Sequence, residues 1–71
     1  MLNEKALRHK MLDEGCRVTE LAKVCEISTS ALYARLNGKV CFTVGEITKA
    51  VERLHLSPEQ RDQIFFAREV S

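Results

Sequence analysis

The sequence predicts an all-α domain of five short helices. Apolar residues recur at helical spacing almost throughout. No stretch sustains the two-residue alternation of a strand, the nearest candidate being Val40-Cys41-Phe42-Thr43-Val44. The few breakers, Gly15, Gly38, Gly45 and Pro58, cut the chain into pieces of two or three turns, with no internal repeat and no linker.

The first helix is expected from Glu4 to about Glu14. Asn3 is a suitable N-cap, Glu4 suits the positive end of the helix dipole, Leu7, Met11 and Ala6 share a face, and Gly15 supplies a left-handed stop. The second helix runs from about Val18 to Cys25, with Leu21, Ala22 and Cys25 as a narrow buried stripe. A helix of two turns is unstable alone in water and must be held by packing. Ser28 caps a third helix from Thr29 to about Leu36, whose inner face is Ala31, Leu32 and Leu36. Asn37-Gly38 ends it.

Thr43-Val44-Gly45-Glu46 fits a capping box and opens the fourth helix. Ile47, Ala50, Val51 and Leu54 follow at i, i+3, i+4 and i+7, the clearest amphipathic pattern in the chain, and His55 is expected in its last turn. Ser57-Pro58-Glu59-Gln60 is a second capping box, with proline where its missing N–H costs nothing. It starts a fifth helix over about 58–66. Residues 67–71 are expected to fray.

Composition narrows the function. The chain has 71 residues, 45% apolar and 30% charged, which fits one folded domain rather than a disordered segment. A domain of this size buries only about 60% of the surface its unfolded chain exposes, which leaves little to wall off a deep catalytic cavity. No apolar run approaches the roughly 18–20 residues of a membrane span, and Met1–Lys5 lacks the pattern of a secretory leader, so no membrane partner and a cytoplasmic location are expected. Cys16, Cys25 and Cys41 are odd in number and widely spaced, and neither His9 nor His55 completes a metal-ligand pattern. They read as reduced, mostly buried cysteines. No nucleophile–base spacing and no glycine-rich phosphate loop is present, so neither enzyme activity, a cofactor nor a small-molecule substrate is expected.

Net charge is only +1, from 11 lysines and arginines against 10 acids, but its distribution is uneven. No acidic residue lies between Ile27 and Gly45, while Arg35 and Lys39 do. Such a surface tolerates a phosphate backbone. The two short helices over about 18–37 then form a helix-turn-helix pattern: small Ala22 allows close approach, Ile27 and Leu32 fill the angle, and the third helix turns a small polar face outward, slim enough for a major groove about 12 Å wide.

Here the chain resembles a family. Glu20-Leu21-Ala22-Lys23, Ile27-Ser28-Thr29-Ser30-Ala31-Leu32 and Leu36-Asn37-Gly38-Lys39 are similar to the lambda repressor/Cro-like, or XRE-type, helix-turn-helix domain. Downstream, Phe42-Thr43, Glu46-Ile47, Leu54, Leu56-Ser57-Pro58 and Ile64-Phe65-Phe66 are similar to its small phage and prophage branch. The resemblance covers about residues 5–66. It implies a compact five-helix DNA-binding fold over 1–71 and a transcriptional regulator, expected to repress by occupying a double-stranded operator. By position it implies base contacts from Thr29, Ser30, Tyr33 and Ala34, and phosphate contacts from Ser28, Arg35, Asn37 and Lys39, extended by Arg17 and Lys23. The chain departs from the family at the turn, where Glu26 replaces a usual glycine, at Val18 in place of a common glutamine, and at Arg17, a poor cap.

Two matters stay open on the residues alone. Ile64, Phe65 and Phe66 form either a homodimer interface or a core closed within one copy, because adjacent rings point about 100° apart on a helix. The near-neutral charge and Glu26 also suit an alternative, a helix-turn-helix module that binds a protein partner in the manner of an antirepressor.

Overall fold

The computed structural model describes residues 2–67 and consists of five helices: α1 (Glu4–Asp13), α2 (Val18–Val24), α3 (Thr29–Leu36), α4 (Val44–Leu54) and α5 (Pro58–Phe65). Among the described residues there is no strand, and Val40–Thr43 is irregular chain. No described helix is long and apolar enough to cross a membrane. Residues 68–71 of the tail expected to fray lie outside the described residues.

Local chemistry explains each start. Asn3 Oδ1 accepts the Ala6 amide at 3.1 Å, and Ser28 Oγ accepts the Ala31 amide at 3.0 Å. Both expected capping boxes form, Thr43 with Glu46 and Ser57 with Gln60. α2 begins at Arg17 without a side-chain cap, so its first turn depends on packing.

The stops of α1, α2 and α3 repeat one geometry. After each helix a residue turns left-handed, and two amides then reach back to carbonyls of the last turn. Gly15 (φ 63) and Gly38 (φ 79) take this place after α1 and α3. After α2 it falls to Glu26 (φ 60), with the Glu26 amide on Lys23 O and the Ile27 amide on Ala22 O at 3.0–3.1 Å. His55 (φ 53) ends α4 similarly, so it stands just beyond the helix rather than in its last turn.

Leu7, Leu21, Leu32 and Leu54 are completely buried, one from each of the first four helices. Met11, Ala22, Cys25, Leu36, Ile47 and Ala50 pack around them, while Ala6, Ile27 and Val51 are partly covered. α2 packs against α3 and α4, and α1 packs against α5. The Asn3 amide donates to Ile64 O at 2.7 Å and ties the start of α1 to α5. Phe65 closes the far side of the core by meeting Phe42 edge to face, with centroids 5.2 Å apart and planes at 79°. This resolves the C-terminal rings. Ile64 and Phe65 belong to the core of one copy and are not available as an interface, while Phe66 is 52% exposed.

Cys16 and Cys25 are buried as expected, whereas Cys41 is exposed. Burial raises the pKa of both buried thiols above the ordinary value of 9.0, which keeps them protonated and inert.

The left-handed stops make a paired prediction. Gly38→Ala forces a Cβ into a left-handed position and is expected to lose about 1 kcal/mol. Glu26→Gly removes the same penalty and is expected to raise the urea midpoint. Equilibrium urea unfolding of both variants checks the opposite signs.

Candidate nucleic-acid interface

α3 packs against α2. Leu32 and Leu36 anchor its inner side. Of the four expected base-contacting residues, Ser30 and Tyr33 are exposed, and Thr29 and Ala34 are half-buried at the flanks. The side-chain-to-side-chain hydrogen bonds of the described residues lie elsewhere, so the hydroxyls of Thr29, Ser30 and Tyr33 are not engaged by another side chain there. Tyr33 is 43% exposed.

Of the expected phosphate-contacting set, Arg17, Lys23, Asn37 and Lys39 are exposed, at the start of α2, within α2 and just after α3. Ser28 is exposed too, with its Oγ accepting at the α3 cap. Among the described residues, Arg17, Lys23 and Lys39 take part in no ion pair.

Arg35 is the correction. Its Nε donates to Glu46 Oε1 at 2.6 Å and its Nη2 to Glu46 Oε2 at 3.0 Å, a two-pronged pair, while Nη1 donates to Ala31 O at 3.0 Å. The two side chains are 14% and 10% exposed. Arg35 therefore points back toward α4 and is not available to a phosphate. The carboxylate it meets also accepts the Thr43 amide at 3.1 Å, so one group caps α4 and binds α3 to it. Burial pushes the Glu46 carboxyl up. The Arg35 bonds, the Thr43 amide and the Arg35 charge together outweigh that, and hold it below the ordinary 4.5.

Glu46 belongs to a row that the sequence reading missed. Glu46, Lys49 and Arg53 recur at i, i+3 and i+7, on one face of α4. Each meets a residue of opposite charge on the α2–α3 unit: Arg35, Glu26 through a Lys49 hydrogen bond, and Glu20 through Arg53 at 3.1 Å. The partners lie 11, 23 and 33 positions away, so no local pattern announces them. The electrostatic result is specific. Both acids of the α2–α3 unit, Glu20 and Glu26, are ion-paired with α4, while Arg17, Lys23 and Lys39 take part in no ion pair among the described residues.

A second feature adjoins this face. Leu2, Val40, Phe42, Phe65 and Phe66 line an apolar groove of about 490 Å³ below the α3–α4 connection. Among the described residues no group of three or more histidine, cysteine or acidic side chains is placed to hold a metal ion. In comparisons with known proteins, no family model matches the chain and no curated protein is similar to it.

Two outcomes test the Arg35–Glu46 pair. Arg35→Ala strands a nearly buried carboxylate and is expected to destabilise by about 2 kcal/mol in urea unfolding. The Glu46 carboxyl is depressed in the folded state, so its contribution is present above the ordinary glutamate value of 4.5 and is lost as pH falls through the depressed value. Glu14, held low first by its His55 hydrogen bond, and Glu26, held low by Lys49, act with the same sign. The urea midpoint should be level between the ordinary glutamate value of 4.5 and the ordinary thiol value of 9.0 and fall below 4.5, with a shallower fall in Arg35→Ala.

Proposed function

We propose that the protein is a small helix-turn-helix DNA-binding regulator of the lambda repressor/Cro-like kind, of phage or prophage type, which represses by occupying a double-stranded operator and carries out no chemistry. One observation carries the reading. Ser30 and Tyr33 of α3 are exposed and Thr29 is half-buried, their hydroxyls meet no other side chain among the described residues, and the exposed cations Arg17, Lys23 and Lys39 of α2 and the adjoining chain take part in no ion pair there. Hydroxyls meet base edges as donors or acceptors, and the Ala34 methyl suits a thymine methyl. The exposed cations supply affinity and register from the phosphates without reading sequence.

A protein-partner reading has its own support. Val40 and Phe66, 45% and 52% exposed, line the apolar groove, and such exposed patches mark partner surfaces. The two readings part in a salt series. For the DNA reading, log affinity for duplex DNA falls linearly with log salt. Lys23→Ala with Lys39→Ala lowers that slope by about 2 per subunit and leaves the urea midpoint unchanged. No retention on mixed genomic DNA at low salt favours the protein partner.

A further inference from the structure

Glu26 stands in the turn between α2 and α3, three residues after Lys23 and two before Ser28, the cap of α3. On the DNA-binding reading, on which this inference rests, both neighbours lie against phosphates. A carboxylate between them opposes binding. It is also held in a left-handed backbone that favours glycine, so local conformation gives no reason for a glutamate there. Its side chain is 75% exposed, and Lys49 hydrogen-bonds it from α4. Arg53 does the same for Glu20, the other acid of the unit.

We infer that Lys49 is a positioning residue for duplex binding: it does not contact DNA, but it holds the Glu26 carboxylate against α4 and cancels its charge, so that the Lys23–Ser28 edge can approach a phosphate. The affinity of the helix-turn-helix for DNA is therefore set partly from a helix outside it. The apparent mismatch between a near-neutral chain and a polyanionic partner follows from this arrangement. The acids nearest the interface are already occupied, while the unpaired described acids Asp13, Glu52 and Glu59 lie on α1, α4 and α5.

The experiment measures binding of the full chain to fragmented genomic DNA over a range of salt. It compares Lys49→Ala, Glu26→Gln, the double variant and Lys5→Ala, with urea midpoints recorded for each. Lys49→Ala is expected to weaken binding about two- to fivefold at low salt, with the loss shrinking as ionic strength rises. Glu26→Gln is expected to bind as well as the unaltered protein or better, and the double variant to return to its level. Lys5→Ala, which removes the same charge from α1, should leave affinity unchanged. If the ion pair served only the fold, Glu26→Gln would weaken binding as Lys49→Ala does, and that result overturns the inference. It is equally overturned if Lys49→Ala weakens binding and Glu26→Gln fails to restore it, since Lys49 would then itself meet a phosphate, or if Lys49→Ala changes nothing while the unaltered protein binds. Absence of binding by the unaltered protein at low salt removes the DNA reading itself, and the inference with it.

Discussion

The domain depends on how two helices too short to stand alone are held against a longer one. α2 and α3 have seven and eight residues, below the length at which a helix persists in water. Leu21 and Leu32 bury them against the core that Leu54 completes from α4. Apolar contact alone leaves some freedom to slide. The Arg35–Glu46 pair removes it, because a two-pronged bond between planar groups fixes both distance and orientation. Since Glu46 also caps α4, the start of one helix and the tilt of its neighbour are set by one carboxylate.

Around this joint, charge is divided by purpose. α4 turns one face carrying Glu46, Lys49 and Arg53 toward the α2–α3 unit, and each charge meets its opposite. The pair nearest the core is structural. The two exposed pairs add little to stability individually, as exposed ion pairs do, but they change what a partner meets at the surface. Net charge is a poor guide for such a protein. It counts acids already matched, whereas a ligand responds to the field outside.

The hydrophobic end of the molecule follows a different logic. The adjacent rings Phe65 and Phe66 cannot enter one small core together. Phe65 is the ring that meets Phe42 of the α3–α4 connection, edge to face. Phe66 is thereby turned outward beside Val40 and Val44, and leaves an apolar surface next to the proposed DNA face.

Periodicity and capping chemistry are local, and they determined the five helices, their boundaries to within a residue or two, and most of the core. Thr43 with Glu46 and Ser57 with Gln60 carry their own starting signals, and Leu21, Ala22, Leu32 and Leu54 were legible as inward positions. The outward face of α3 was legible for the same reason, since a helix with one apolar side presents the other. Only the tertiary structure decided the fate of Arg35, Glu26, Lys49 and the two adjacent phenylalanines. Arg35 reads as a candidate phosphate ligand in one dimension, and its diversion to Glu46 depends on how α2, packed against both α3 and α4, brings the start of α4 beside α3. A charge or a ring takes its role from whichever group lies within a few ångströms, and that neighbour is set by the packing of helices distant in the chain.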